Sequence, residues 1–222
     1  MIEKGSGKIR VAFQGEPGAY SEAALLEYFH DQAEAIGLSR FEDVFEAVEK
    51  GDCRYGFIPI ENSLAGSIHR NYDLLREHNL HIIGETTLRI RHCLIAVPGA
   101  RLDQIRLVNS HPQALDQCRG YLGRLKNVTI EPVYDTAGAV KQLSETRNPA
   151  AAAVASRRAA ELYGMQILEE GIEDDAANYT RFLILSTHAI DPGADAKTSI
   201  VVSLVNQPGS LFKALSVFAL RD

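Results

Sequence analysis

Short apolar runs alternate along the chain with longer stretches in which apolar positions recur at helical spacing. The short runs predict strands and the periodic stretches predict helices. The predicted strands cover residues 9–15, 55–60, 81–88, 92–97, 106–109, 128–134, 151–155, 165–168 and 181–185. The predicted helices begin near Ser21 and then cover 68–78, 111–122, 136–147 and 156–164. This alternation of strands and helices indicates an α/β fold.

The pattern changes after the last of these strands. Residues 189–197, AIDPGADAK, have the Pro, Gly and Ala content of a linker. A strand is predicted over 198–205, followed by a turn and an amphipathic helix over 211–222. One strand and one helix cannot bury their own apolar faces, so either this segment packs against something else or the chain is a fragment of a longer protein. We favour the fragment.

Composition limits the classes of partner. The chain has 222 residues, enough for one large domain or two smaller ones, and its net charge is −6, which disfavours a nucleic-acid partner. Its three cysteines lack metal-ligand spacing and indicate small buried side chains in a reducing compartment. The first residues lack the apolar core of a signal peptide, and no apolar run is long enough to cross a bilayer. We therefore expect a cytoplasmic protein without a membrane or nucleic-acid partner.

Four junctions that follow predicted strands carry small hydroxyl or amide side chains. They are residues 14–21, 61–67, 109–114 and 134–139. Ligands of open α/β sheets bind beyond the carboxyl ends of strands, where helix N-termini favour anions. The same residue types are ordinary helix caps, so each junction also has a purely structural interpretation. Without a glycine-rich nucleotide motif, the set indicates a small anionic ligand.

Other candidate groups favour structural roles. Glu61 and Asn62 fit either a general base with its orienting partner or a helix cap. His69, His92 and His111 have no metal-ligand spacing, and the acidic segment 169–175 is typical of a solvated loop. No metal site is predicted.

The motifs taken together resemble those of the prephenate dehydratase family, and especially its arogenate/prephenate dehydratase branch. They lie at residues 11–25, 58–75, 110–118, 134–139, 152–164 and 178–185. The resemblance implies a catalytic domain over 1–190 with two α/β lobes, similar to periplasmic binding proteins. Lobe one would be 1–88 plus 174–190, and lobe two 89–173. Residues 197–222 resemble the beginning of an ACT regulatory domain, a ferredoxin-like α+β fold.

The resemblance also implies an activity and a set of site residues. Prephenate would become phenylpyruvate with loss of CO₂ and water, or arogenate would become phenylalanine, without a metal or cofactor. The catalytic residue would be Thr180, in the motif NYTRFLIL (178–185). The implied substrate-binding residues are Asn62, Ser63, Ser110, Gln117, Thr136, Arg181 and Phe182. Glu61 is assigned to lobe geometry.

The strand period sets a condition on this assignment. Thr180 and Arg181 would point to opposite faces of a regular strand, so both reach one ligand only if the chain bends. Phe182 would share the face of Thr180, either against the substrate ring or in the core.

Regulation and location are also implied by the resemblance. Asn206, Gly209 and Leu211 match an effector loop that would bind phenylalanine, and the protein would be a homodimer or homotetramer. The cytoplasm is the expected location, with the plastid stroma as an alternative. The competing functional hypothesis is a sensor that binds a small molecule in a two-lobed cleft without catalysis.

Overall fold

The computed structural model describes residues 7–191, 193–194, 196–200 and 202–221. The chain divides into two compact units, one ending at Ile190 and the other beginning at Asp191. The first unit contains two β-sheets with helices packed against them. This arrangement confirms the predicted two-lobed α/β fold.

The first sheet forms lobe one. Its strands are β1 (Ile9–Gln14), β2 (Ala33–Leu38), β3 (Tyr55–Asn62), β4 (Gly66–Ser67), β5 (His81–Arg89) and β11 (Tyr179–Ser186). The strand order is β2-β1-β3-β11-β5, with β4 paired to the end of β3. The β1 strand is parallel to β2 and β3, whereas β11 is antiparallel to both β3 and β5. The chain therefore returns from lobe two to complete the centre of this sheet.

The second sheet forms lobe two. Its strands are β6 (Cys93–Ala96), β7 (Leu107–Ser110), β8 (Thr129–Pro132), β9 (Ala151–Ala155) and β10 (Gln166–Glu170), in the order β10-β6-β9-β7-β8. Every residue of the alanine-rich β9 is buried. Small side chains on this central strand let helices approach the sheet closely, which explains a strand without large residues.

The helices of the first unit are short. They are α1 (Tyr20–Phe29), α2 (Phe41–Glu49), α3 (His69–Glu77), α4 (Pro112–Gln117), α5 (Arg119–Leu122), α6 (Thr136–Thr146) and α7 (Arg157–Tyr163), with 3₁₀ turns at His30–Gln32 and Leu102–Gln104. The predicted helix over 111–122 is interrupted at Cys118, whose φ of −116° and ψ of 17° lie outside the helical region. Its thiol is fully buried, so local packing takes precedence over helix continuity here.

The turn before α1 joins the two lobes. Ser156, the N-cap of α7 in lobe two, donates its hydroxyl to the Gly18 carbonyl at 2.6 Å and accepts from the Ala159 N–H at 3.0 Å. Gly18 has a φ of +94°, and a Cβ built on it would lie 2.9 Å from the Ala159 Cα. Glycine is therefore required both by the backbone conformation and by the close approach.

The second unit contains α8 (Ser210–Ala219), whose N-cap Gly209 adopts the left-handed conformation with a φ of +82°. The strand predicted over 198–205 is absent from its described positions, 198–200 and 202–205, while residue 201 lies outside the described range. A strand needs a hydrogen-bonded neighbour, and the described residues of this unit contain no second strand to supply one. The ACT-like fold stays a prediction.

Candidate active site

A pocket of about 170 Å³ lies where the two lobes meet. Its lining residues come from strands and a helix of lobe one, from helices of lobe two and from the segment between the lobes: Tyr20, Ser21, Pro59, Asn62, Ile90, His92, His111, Gln113, Ala114, Gln117, Thr136, Thr180 and Phe182. The sequence motifs from which they come are far apart along the chain. Folding brings residues of all four polar junctions together at one cleft.

The first turns of α4 and α6 supply part of the lobe-two wall. The N-cap of α6 is Asp135, whose carboxylate accepts the Gly138 N–H at 2.8 Å. Burial raises the pKa of this carboxyl, although hydrogen bonds from the α6 backbone oppose the shift. Thr136 follows at the first helical position and lines the pocket. The positive end of the α6 dipole therefore lies beside the pocket, which favours an anionic ligand.

Thr180 sits near the beginning of β11 and is half-buried. Its Oγ1 accepts a hydrogen bond from Asn62 Nδ2 at 3.0 Å. Asn62 is at the end of β3, directly opposite Thr180 in the strand register. With its oxygen occupied by this donor, the Thr180 hydroxyl can direct its own hydrogen toward a ligand.

A series of polar contacts continues from Asn62 across the cleft. Asn62 Nδ2 donates to Asn178 Oδ1 at 2.8 Å, and Asn178 Nδ2 donates to Gln117 Oε1 at 2.9 Å. His92 Nε2 lies 2.9 Å from the same Gln117 oxygen, and His92 Nδ1 lies 2.7 Å from the Tyr20 hydroxyl. These neutral groups form a continuous set in which Asn62, Gln117, His92 and Tyr20 line the pocket and the fully buried Asn178 connects Asn62 to Gln117.

Burial controls the titration of two of these groups. It lowers the pKa of His92, against the opposing effects of the Gln117 hydrogen bond and the Glu173 carboxylate. It raises the pKa of Tyr20 well above the ordinary value, with nearby Cys93, Cys118 and Glu173 adding to the shift. At neutral pH both side chains are therefore uncharged.

Five of the residues implied by the resemblance line this pocket. They are Asn62, Gln117, Thr136, Thr180 and Phe182. Phe182 belongs to the core, since it is 1% exposed and stacks on Phe57 with ring centroids 5.0 Å apart, and it also lines the pocket. Its contact with the substrate ring stays a prediction.

Three other implied substrate-binding residues do not line the pocket. Two of them are serines. Ser63 is exposed and donates to the Ala177 carbonyl at 2.6 Å. Ser110 is fully buried and donates to the Val154 carbonyl at 2.6 Å. Both hydroxyls therefore donate to backbone carbonyls of neighbouring segments.

The third, Arg181, points away from Thr180, as strand alternation requires. Its Nε lies 3.1 Å from Glu85 Oε2, and its NH1 lies 3.7 Å from Glu61 Oε2. The β-bulge in the pairing with β3 falls between Arg181 and Phe182 and does not bring Arg181 into the pocket lining. Glu61 and Arg181 therefore connect neighbouring strands of lobe one.

The effector-loop residues lie in the second unit. Asn206 and Leu211 are exposed there, and Gly209 caps α8. Their phenylalanine-binding role stays a prediction.

Several pocket residues were missed from sequence. Tyr20 and Ser21 belong to the first polar junction but were not singled out. Asn178, in the motif of Thr180, was also missed; it does not line the pocket but bonds Asn62 and Gln117, which do.

His92 and His111 were set aside because they lack metal-ligand spacing. The side-chain partners of His92 come from distant segments, so spacing carried no signal for it, whereas His111 Nδ1 accepts the N–H of Gln113, two residues along the chain. Across the described residues, no three His, Cys, Asp or Glu side chains are grouped to hold a metal ion.

The fold and pocket define a two-lobed α/β protein with a ligand cleft between its lobes. The prephenate dehydratase family model matches residues 11–190, and the chain belongs to that family. The arogenate dehydratase/prephenate dehydratase 2, chloroplastic, of Arabidopsis thaliana is 52% identical over the whole chain, which covers 58% of that protein. Arogenate dehydratase 2 of Petunia hybrida is 50% identical, and the chain covers 56% of it. The chain thus spans just over half the length of these relatives.

Solved structures agree with this family. The prephenate dehydratase of Arthrobacter aurescens, in complex with L-Phe, has a TM-score of 0.82 and 29% identity, and the match covers 96% of this chain and 73% of that one. GqqA, described as a novel type of quorum quenching acylase, has a TM-score of 0.78 and 34% identity, covering 95% and 77% of the two chains. Among the helices in the described part of the chain, none has the length and apolar character to cross a membrane.

Proposed function

We propose that this chain catalyses the decarboxylating dehydration of prephenate or arogenate. The observation that carries the proposal is the Thr180 hydroxyl, which lines the cleft and accepts its hydrogen bond from Asn62. A hydroxyl held in this way offers its hydrogen to a ligand oxygen. Membership of the prephenate dehydratase family supplies the substrate class.

The reaction needs help at the departing oxygen. As the ring carboxylate leaves as CO₂, the electrons of its carbon–carbon bond enter the ring, and the carbon–oxygen bond at the ring hydroxyl breaks. Aromatisation favours the step, but hydroxide leaves poorly unless it is protonated or strongly hydrogen-bonded. A positioned donor contributes on the order of 10²–10⁴ in rate. Thr180 provides that donor as a hydrogen bond to the departing oxygen. The proton that turns hydroxide into water comes from solvent, either directly or relayed through the Thr180 hydroxyl, so Thr180 ends the step protonated.

The remaining pocket groups suit an anion that loses CO₂. The lining residues include neither lysine nor arginine, and Asn62, Gln117 and Thr136 offer neutral donors near the α6 N-terminus. A strong cation beside the departing carboxylate would stabilise the ground state more than the transition state. Phe182 provides an apolar surface for the substrate ring.

Arg181 takes a different role in this proposal from the one implied by the family motif. Its contacts with Glu85 and Glu61 align the strands that carry Thr180 and Asn62. Ser63 and Ser110 likewise support the backbone around the pocket, through their bonds to Ala177 and Val154.

The test is turnover by Thr180→Val, which keeps the side-chain volume and removes the donor. Ultraviolet absorbance follows phenylpyruvate formed from prephenate, and chromatography follows phenylalanine formed from arogenate. We expect kcat to fall by roughly 10²-fold or more without a change in fold. Thr87→Val, at an exposed position of β5, is the matched control and should keep the wild-type rate.

Other outcomes would contradict the proposal. Wild-type kcat in Thr180→Val would remove this residue from the chemistry. Binding of both substrates without product would favour the non-catalytic sensor. Because one similar structure is described as an acylase, the assays include hydrolysis of an N-acyl amide, which would support that activity if it alone occurred.

Phenylalanine is the proposed effector, through Asn206, Gly209 and Leu211. The L-Phe complex of the Arthrobacter aurescens relative supports this assignment. A homodimer or homotetramer is the proposed assembly, which sedimentation would test. The chloroplastic name of the Arabidopsis relative favours the plastid stroma over the cytoplasm expected from the sequence.

A further inference from the structure

The hydrogen bonds that cross the cleft have a direction, and the direction is set at one end by backbone amides. The Leu64 and Ala65 N–H groups donate to Asn62 Oδ1 at 3.1 and 2.9 Å. A backbone N–H can only donate, so the Asn62 oxygen must face this loop. Its Nδ2 group is thereby turned toward Asn178 and Thr180.

The orientation of Asn62 fixes the orientations of the Asn178 and Gln117 amides in turn. Asn62 Nδ2 donates to Asn178 Oδ1 at 2.8 Å, which leaves Asn178 Nδ2 to donate to Gln117 Oε1 at 2.9 Å. Gln117 Oε1 also lies 2.9 Å from His92 Nε2. An amide oxygen carries no hydrogen, so the hydrogen in this contact belongs to His92 Nε2.

The other ring nitrogen of His92 is then the acceptor. His92 is only 2% exposed, and burial favours its neutral form over the charged one. With the hydrogen on Nε2, Nδ1 accepts from the Tyr20 hydroxyl at 2.7 Å, a shorter contact than the 3.2 Å from that hydroxyl to the Arg91 carbonyl. The Glu173 carboxylate is engaged by the His92 backbone N–H at 2.9 Å.

These contacts use the side-chain oxygen of Gln117 and leave its NH₂ group available to donate. Its Oε1 receives both Asn178 and His92, whereas its Nε2 has no hydrogen-bond partner in the described part of the protein. Gln117 lines the pocket, so its NH₂ is the part offered to a ligand.

We propose that His92, in the Nε2–H tautomer and anchored at Nδ1 by Tyr20, is a positioning residue that keeps the Gln117 NH₂ directed at the substrate. Its effect on turnover rests on the proposed dehydratase function; the tautomer itself does not. If His92 carried its hydrogen on Nδ1, Nε2 would accept. The Gln117 amide would then rotate, and an oxygen would face the anionic substrate in place of two donors.

The direct test is nitrogen NMR of protein labelled with ¹⁵N-histidine, at neutral pH and without substrate. We expect His92 to show a protonated Nε2 and an unprotonated Nδ1, assigned by loss of these signals in His92→Gln. The exposed His30 should show the average of both tautomers. A protonated Nδ1 on His92, or averaged signals, would overturn the proposal.

Kinetics test the consequence for Gln117. Tyr20→Phe removes only the hydroxyl that donates to His92 Nδ1 and anchors the ring, and we expect kcat/KM to fall roughly tenfold, the effect of losing one oriented hydrogen bond. Tyr163→Phe is the matched control: Tyr163 donates to the Pro17 carbonyl at 3.1 Å and does not line the pocket. Its kcat/KM should stay within about twofold of wild type.

The outcomes separate the two proposals. Wild-type kcat/KM in a folded Tyr20→Phe would contradict the positioning role. If Tyr20→Phe does not fold, the wild-type NMR signals still decide the tautomer. If the wild-type chain turns over neither substrate, the dehydratase function fails while the NMR result stands.

Discussion

Thr180 and Arg181 are adjacent in β11, yet their side chains lie on opposite faces of the sheet. Thr180 faces the cleft and Asn62, and Arg181 faces Glu85 and Glu61 on the other side. The Thr180 hydroxyl therefore belongs to the pocket, whereas the Arg181 guanidinium forms ion pairs on the opposite face of the strand. The strand period predicted that the two side chains alternate. It could not predict the carboxylate partners of Arg181, because they lie on other strands.

Gln117→Glu tests the donor that faces the pocket. Glutamate keeps an oxygen for His92 and Asn178 but removes the NH₂ and places a negative charge before an anionic substrate. We expect kcat/KM to fall roughly 10–10²-fold, with the protein still folded by circular dichroism. Gln142→Glu, at an exposed position of α6, should have the wild-type kcat/KM. Equal rates in the two variants would exclude a role for the Gln117 amide.

At the scale of elements, the close approach of the Gly18 turn and α7 is what joins the lobes beside the pocket. Ser156 caps α7 and bonds the Gly18 carbonyl with one hydroxyl, while Glu22 accepts the Gly18 N–H at 2.6 Å. The turn thereby sets the beginning of α1, from which Tyr20 reaches His92.

Gly18→Ala should destabilise the protein more than an ordinary change at a left-handed glycine. Its φ of +94° is strained for alanine, and the new Cβ would lie 2.9 Å from the Ala159 Cα. We expect a loss of roughly 2–4 kcal/mol in the free energy of unfolding, measured with urea. Gly51 has a φ of +78°, but a Cβ added there would meet nothing within 4 Å, so Gly51→Ala should cost only about 1 kcal/mol. Similar losses in both would argue against the steric contact.

For the whole first unit, the buried cleft links protonation to stability. His92 is packed among Tyr20 from α1, Gln117 from α4 and Glu173 from the loop that returns to lobe one. Its lowered pKa means that the unfolded chain binds a proton at a higher pH than the folded one does. Stability from neutral His92 is therefore complete above the ordinary histidine pKa of about 6.5 and decreases as pH falls through it.

We expect the free energy of unfolding of the wild type to fall between about pH 7.5 and pH 5.5, and the fall to be smaller in His92→Gln. Denaturant titrations at each pH measure both. Asp135 has the opposite effect on stability. Because its pKa is raised in the folded state, its protonation adds stability as the pH falls toward the ordinary carboxyl pKa of about 3.9. Parallel curves for the two proteins across this interval would show that His92 does not titrate as proposed.

The sequence predicted the strands around the cleft because each has a local signal, an apolar run with turn residues at its ends. It did not predict β2, where AEAIGL has weak periodicity. It also missed α2, although Phe41, Val44, Phe45 and Val48 recur at helical spacing and form the buried face. The strand over 198–205 was wrong at its described positions, since apolar β-branched residues alone do not provide a neighbouring strand.

By itself, the sequence determined the α/β alternation, the family motifs and the placement of Thr180 at the beginning of a buried strand, because all of these are local patterns. Only the tertiary structure decided that Tyr20, His92, Gln117, Asn178 and Asn62 form one directed set of hydrogen bonds, and that Arg181 lies outside it. The physical reason is that a hydrogen bond depends on donor–acceptor distance and angle in space, and these partners lie up to 116 residues apart in the chain.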